Sequence, residues 1–171
     1  MNRTYVALDL ETTGLDATRD TILEIGVVLF RVSFADGTIH SQVTGEWSTF
    51  VNPRRPIPIQ VQQLTGITQE QVHRAPHFPQ VMQQVRRLVG NHPVVGHNVG
   101  FDMEFLGNHD LPLPNLRIDT FELASILLPH AARYSLVKLG EMLGLPNLCT
   151  HRALDDSLAA KDLFVALIEH A

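Results

Sequence analysis

One cysteine, Cys149, stands among 171 residues. A lone thiol excludes an internal disulfide and fits a reducing compartment, so a cytoplasmic location is expected. No apolar run approaches the ~18 residues a bilayer-spanning helix requires, and no membrane association is expected. The start, MNRTYVALDLE, meets an acidic residue by position 9 and lacks the basic and apolar regions of a secretory leader. Positive charge is not in excess either. A net charge of −5 argues against a protein that grips nucleic acid through a broad basic surface, although it leaves local recognition open. Repeats, low-complexity tracts and linkers are missing too, so residues 1–171 are expected to form a single domain.

Against these absences stands ALDLETTGL, residues 7–15. Side chains two apart on a strand share a face, so Asp9 and Glu11 are neighbours. Two adjacent like charges are costly unless a metal ion or a basic partner neutralises them.

The coarse pattern is a β-meander followed by alternating helices and strands. YVALDL (5–10) reads as a strand. ILEIGVVLFRVS (22–33) reads as a second, central one, and TIHSQVTGEWSTFV (38–51) returns after the ADG turn signal at 35–37. The Pro-rich NPRRPIPIQ (52–60) reads as loop. FPQVMQQVRRLVG (78–90) is an amphipathic helix with Val81, Val85, Leu88 and Val89 on one face. PVVGHN (93–98) and LRIDTFEL (116–123) are short strands leading into helices, the first of these helices from about Phe101. SLVKLGEMLGL (135–145) and HRALDDSLAAKDLFVALIEH (151–170) close the chain as helices. The order predicts an α/β domain with one mixed sheet.

Acids recur where apolar elements end: Asp9 and Glu11, then Asp102 in HNVGFD, then HRALDD. Open α/β sheets gather such residues at strand ends. Taken singly, each would be an ordinary cap or loop residue. In the last helix, ~100° per residue aligns Asp156 with the stripe Ala160, Leu163 and Leu167, whereas Asp155 aligns with Asp162 and Glu169 on a face expected to be solvated. Asp156 is therefore the better inward ligand. His151, just before that helix, is placed to accept a proton near neutral pH. His97 reads as structural or as a support behind the site's ligands, and the other seven histidines as surface residues. DLETTGLDATRD mimics a calcium loop, but a strand rather than a helix precedes it and Asp20 stands where a bidentate Glu belongs.

In this order and spacing, DLETTG, HNVGFD and HRALDD resemble the three motifs of the DEDDh 3′→5′ exonucleases, which include the proofreading epsilon subunit of bacterial DNA polymerase III. LTGIT (64–68) matches a further family segment. The resemblance runs from Tyr5 to about Ile168. It implies an RNase H-like, five-stranded mixed sheet with the second strand antiparallel to the others and helices on both faces. Asp9, Glu11, Asp102 and Asp156 would hold two Mg²⁺ or Mn²⁺ ions, hard cations that prefer carboxylate oxygen. His151 would be the general base. Expected substrate contacts are Thr12, Thr13, Gly14 and Leu15 of the turn, with Gln60, Leu64, Thr65, Asn98, Phe101 and His151. Leu15, Leu64 and Phe101 would pack on bases, or alternatively in the core. Epsilon-like members often carry His where Thr65 stands and an acid near Gln60.

The implied reaction is metal-dependent hydrolysis at the 3′ end of DNA, preferentially single-stranded, releasing nucleoside 5′-monophosphates. Two ions roughly 3.5–4 Å apart would flank the reacting phosphate. The alternatives are an oligoribonuclease and a non-catalytic nucleic-acid-binding scaffold, although none of the catalytic set is missing. The partner would be nucleic acid, with a DNA polymerase or helicase as a possible second one.

Overall fold

Residues 2–171 are described by a computed structural model of the chain. Strands β1 (Asn2–Thr12), β2 (Ile22–Ala35) and β3 (Thr38–Phe50) form the meander. The β2–β3 turn carries positive φ at Asp36 (52°) and Gly37 (78°), the backbone a tight hairpin needs. Short helices α1 (Ile59–Thr65) and α2 (Gln69–His73) and the longer α3 (Phe78–Val89) follow. Then come β4 (Val94–Gly96), α4 (Val99–Asn108), β5 (Arg117–Asp119), α5 (Thr120–Leu127), α6 (Leu136–Leu143) and α7 (Ala153–His170). The sheet order is β3-β2-β1-β4-β5. Strand β2 runs antiparallel to both neighbours, while β1, β4 and β5 are mutually parallel. The fold is the RNase H-like five-stranded mixed sheet expected from the motifs.

Alternation along β1 assigns its two faces. Val6, Leu8 and Leu10 join Val81, Val85 and Val89 of α3 and Phe105 of α4 in one cluster. Ala7 joins Val28, Phe30 and Phe164 of α7 on the other face, with Tyr5 packed against them. Asp9 and Glu11 continue this second face beyond its apolar part, at the C-terminal edge of the parallel strands. A hydrophobic strand thereby ends in two carboxylates beside the start of α7.

Three local expectations change. Helix α4 begins at Val99, two residues before Phe101, because Asn98 adopts a left-handed conformation (φ 62°) that turns the chain early. Asp162 is not on a solvated face: α7 packs on the sheet and also against α5 and α6, so Asp162 is buried, pairs with Lys161 and accepts a hydrogen bond from Asn147 at 2.7 Å. His77, His92 and His109 are half-buried rather than surface residues. His77 caps α3, and His109 stacks on Phe105.

Candidate active site

Carboxylate oxygens of Asp9, Glu11 and Asp156 lie within 4.8 Å of one another. Asp9 and Glu11 come from β1, and Asp156 from the first turn of α7. Asp156 is only 5% exposed, and its carboxylate accepts from the Thr150 amide (2.8 Å) and the Cys149 thiol (3.0 Å). The loop before α7 thus curls back over the Asp it precedes. Asp155 is exposed and takes only the Thr150 hydroxyl (2.7 Å), as its helical phase requires. Asp102, in the first turn of α4, is buried and accepts from the Leu10 amide at 3.0 Å. It stands outside the 4.8 Å group but lines the same cavity of about 320 Å³ as Asp9, Glu11, Asp156 and His151.

Asp9, Glu11 and Asp102 hold their protons more tightly than ordinary carboxyls do. Burial first, then the neighbouring Asp102, Asp156, Glu11 and Glu24, holds Asp9 well above the usual carboxylate range. Burial also raises Asp102, against the lowering effect of the Leu10 amide. Glu11 is pushed up to about 8 by burial, Asp156 and Glu24, with Arg152 opposing. Among the described residues, no Lys, Arg or His forms an ion pair with Asp9, Glu11, Asp102 or Asp156. Clustered oxygen donors without a cationic partner fit a divalent hard ion better than a basic side chain.

A fifth acid is treated differently. Glu24 lies opposite Glu11 in the β1–β2 register and is 3% exposed. It accepts from Arg152 Nε (3.0 Å), Arg152 Nη2 (2.7 Å) and the Ala153 amide (3.1 Å). This forked contact fastens the start of α7 to the sheet, and with it the backbone that carries Asp156. Gly26 completes the fastening. A Cβ there would lie 2.2 Å from the carbonyl carbon and oxygen of Ala153, so only glycine admits α7 at this distance.

His151 precedes the helix at φ 58° and is exposed at the rim of the cavity. It also borders a larger, adjoining cavity of about 470 Å³ walled by His97, Phe121 and Tyr134. His97 Nδ1 lies 3.0 Å from the Thr120 hydroxyl, whose own proton goes to the Gly96 carbonyl (3.2 Å). His97 therefore donates from Nδ1. Its Nε2 is buried with no protein partner, and burial lowers its pKa.

The expected substrate contacts divide. Thr12, Gly14, Leu15, Gln60, Leu64, Thr65 and Phe101 line one cavity of about 330 Å³ together with Glu11. Leu15 and Leu64 are 87% and 59% exposed, which excludes the core alternative for both. Phe101 is half-buried and packs on Phe105, so it serves the core as well as the cavity wall. Asn98 is exposed and borders both neighbouring cavities. Thr13 is absent from these walls: it is buried, donating to Asp20 (3.1 Å) and accepting from the Thr21 amide (3.0 Å). The Thr65 hydroxyl is likewise used internally, on the Val61 carbonyl. The close approach that Gly14 permits is taken by the Asp20 carboxylate, 2.3 Å from where a Cβ would stand. Asp20 thus fastens the turn and closes no calcium loop.

Cys149, Glu24, Arg152, Phe121 and Tyr134 were not singled out from sequence. Only Arg152 and Cys149 carry a signal there, lying within three residues of His151.

Carboxylates gathered at the C-terminal strand edge of an RNase H-like sheet define a phosphodiester hydrolase. The exonuclease family model RNase_T matches residues 6–164, and the chain belongs to this family. It is 33% identical to the DNA polymerase III subunit epsilon of Treponema pallidum, over 97% of this chain and 77% of that protein. A PolC-type DNA polymerase III of Clostridium perfringens is 34% identical over 93% of this chain, which spans only 11% of that polymerase. Exonuclease X in complex with 5′ overhanging duplex DNA superposes with a TM-score of 0.75 at 29% identity, covering 96% of this chain and 91% of that one. The nuclease domain of 3′hExo, a DEDDh family member bound to rAMP, shares the fold with a TM-score of 0.72 at 22% identity, over 97% and 92% of the two chains.

Proposed function

We propose that residues 1–171 act as one 3′→5′ exonuclease domain that hydrolyses single-stranded DNA from its 3′ end and releases nucleoside 5′-monophosphates. The observation that carries this reading is the convergence of Asp9, Glu11 and Asp156 oxygens within 4.8 Å, with His151 on the rim of the same cavity. Asp9, Glu11, Asp102 and Asp156 are the proposed ligands of two Mg²⁺ or Mn²⁺ ions. When bound, such ions supply Lewis-acid stabilisation of the charge that develops on the phosphate.

The chain's own residues supply the rest. His151 takes a proton from the attacking water. A bond forms between the water oxygen and the terminal phosphorus, the bond to the 3′ oxygen of the penultimate nucleotide breaks, and that oxygen takes a proton from solvent to leave as the new 3′-hydroxyl. Exposed Leu15 and Leu64 offer an apolar wall on which the terminal base packs. The polymerase names of its relatives support a DNA polymerase as partner.

The test is hydrolysis of matched 5′-labelled single-stranded DNA and RNA oligomers with Mg²⁺, Mn²⁺ or EDTA, resolved on a gel. A metal-dependent ladder shortening from the 3′ end, faster on DNA, is expected. A faster RNA ladder would make the chain an oligoribonuclease. No cleavage with either ion, despite bound oligomer, would leave a nucleic-acid scaffold.

A further inference from the structure

The acidic cleft has a second donor set, which overlaps the first and adds a thiol that the hard-ion chemistry does not use. Ligand atoms of Cys149, His151 and Asp156 lie within 4.8 Å of one another. The Cys149 thiol already points at Asp156, donating to its Oδ2 at 3.0 Å. Sulfur, imidazole nitrogen and carboxylate oxygen are the three donor types of zinc sites, with bond lengths of roughly 2.0–2.3 Å. Bonds of that length in a tetrahedron place ligand atoms roughly 3.3–3.7 Å apart. The side chains need to draw in by about one ångström, and His151, exposed at the rim, is free to do so.

The geometry points to an inhibitory soft-ion site made of Cys149, His151 and Asp156, which takes Zn²⁺-class cations and switches hydrolysis off when filled. Asp156 belongs both to this set and to the Asp9–Glu11–Asp156 set. A soft ion there withdraws a carboxylate from the hard-ion site and occupies the ring nitrogen proposed as the base. The two occupancies exclude each other. Thiolate selects the ion: Mg²⁺ and Mn²⁺ favour oxygen, whereas Zn²⁺ gains from sulfur and nitrogen. Coordination replaces the S–H bond by a metal–sulfur bond, with the proton released to solvent and no change of oxidation state. The switching role rests on the exonuclease reading. The metal site does not.

Co²⁺ titrated into the metal-free protein reports the site directly, through the thiolate-to-cobalt charge-transfer absorption. One equivalent per chain is expected to develop this band in the native protein, and Cys149→Ser to abolish it. In parallel, Zn²⁺ is titrated into Mg²⁺-supported hydrolysis of a 5′-labelled single-stranded DNA oligomer, each protein being compared with its own zinc-free rate. The half-inhibitory Zn²⁺ concentration is expected to rise at least about tenfold in Cys149→Ser. A native protein without the thiolate band overturns the site, with no dependence on how the variant folds. Equal zinc sensitivity of the native and Cys149→Ser proteins overturns the switch. A chain that hydrolyses nothing with any ion refutes the exonuclease reading, and the cobalt spectrum then still decides the site.

Discussion

Gly26→Ala adds one methyl group at the point where β2 meets the start of α7. That methyl carbon would stand 2.2 Å from backbone atoms of Ala153. Carbon atoms settle at roughly 3.5–4.0 Å, so strand and helix must separate by about 1.3 Å. Neither obstacle is a flexible side chain. The Ser157 hydroxyl, within reach of both the Gly26 carbonyl (3.1 Å) and the Ala153 carbonyl (2.8 Å), is disturbed as well. Overpacking of this kind costs roughly 1–3 kcal/mol, and a domain of this size loses about 2–4 °C in Tm per kcal/mol. Function should suffer more than stability. Gly26 pairs with Asp9 across the sheet, and moving α7 carries Asp156 away from Asp9 and Glu11. A misplacement of about 1 Å costs on the order of 100-fold in rate. Gly107→Ala makes the same chemical change within α4, where a Cβ meets nothing within 4 Å. It should be neutral or gain roughly 0.5–1 kcal/mol. The assay is single-turnover hydrolysis of a 5′-labelled oligonucleotide beside a thermal melt of each variant. If Gly26→Ala matches Gly107→Ala in both rate and Tm, the close-approach reasoning is wrong.

Removing the Arg152 fork leaves Glu24 buried with one amide donor. A broken buried pair costs roughly 3–5 kcal/mol, and the 42% exposure of the Arg152 side chain reduces this to about 2 kcal/mol. Urea melts of Arg152→Ala, Glu24→Gln and the double variant measure the coupling, and a value below about 0.5 kcal/mol would refute the anchor. Asp156→Ala should abolish hydrolysis while Asp155→Ala stays within a few-fold of native; a dead Asp155 variant beside a live Asp156 variant overturns the ligand choice. The raised pKa values of Asp9, Glu11 and Asp102 mean that the metal-free folded protein keeps protons the unfolded chain has released. The contribution of these acids to stability is therefore fully present at low pH and falls as pH rises through the Glu11 window, from 4.5 to about 8. Melts in EDTA should show that decline, worth a few kcal/mol at ~1.4 kcal/mol per unit, and Mn²⁺ should remove most of it. Identical slopes with and without the ion would count against the acids as its ligands.

Legibility in the sequence followed periodicity. The three long strands and α3 were readable because their apolar spacing repeats over many residues, and Asp156 was separable from Asp155 by helical phase alone. The same phase argument misjudged Asp162, since it assumes a helix with one wet side and α7 is enclosed on both. Thr13 and Gly14 belong to a motif, yet their side-chain space is taken by Asp20, a contact no spacing rule contains. Glu24 read as one polar residue in an apolar run. Its purpose appears only when Arg152, 128 positions later, is brought alongside it.

Glu24 and Glu11 sit opposite each other, and the fold neutralises only one of them. Arg152 satisfies the acid that faces the helix start, whereas the acids facing the cleft receive no cation from the chain. A sequence selected only for stability would spread such charges or pair them. Here the repulsion among Asp9, Glu11 and Asp156 is held in place by apolar packing beneath β1 and by the fastening of α7 at Glu24 and Gly26. A divalent ion bound at the proposed site would relieve that repulsion, and with its donors already gathered, little of the energy of ion capture would be spent on ordering the site. The fork at Arg152 and the bare carboxylates beside it are thus two halves of one arrangement: rigidity where the helix meets the sheet, and uncompensated acids where the proposed ion would enter.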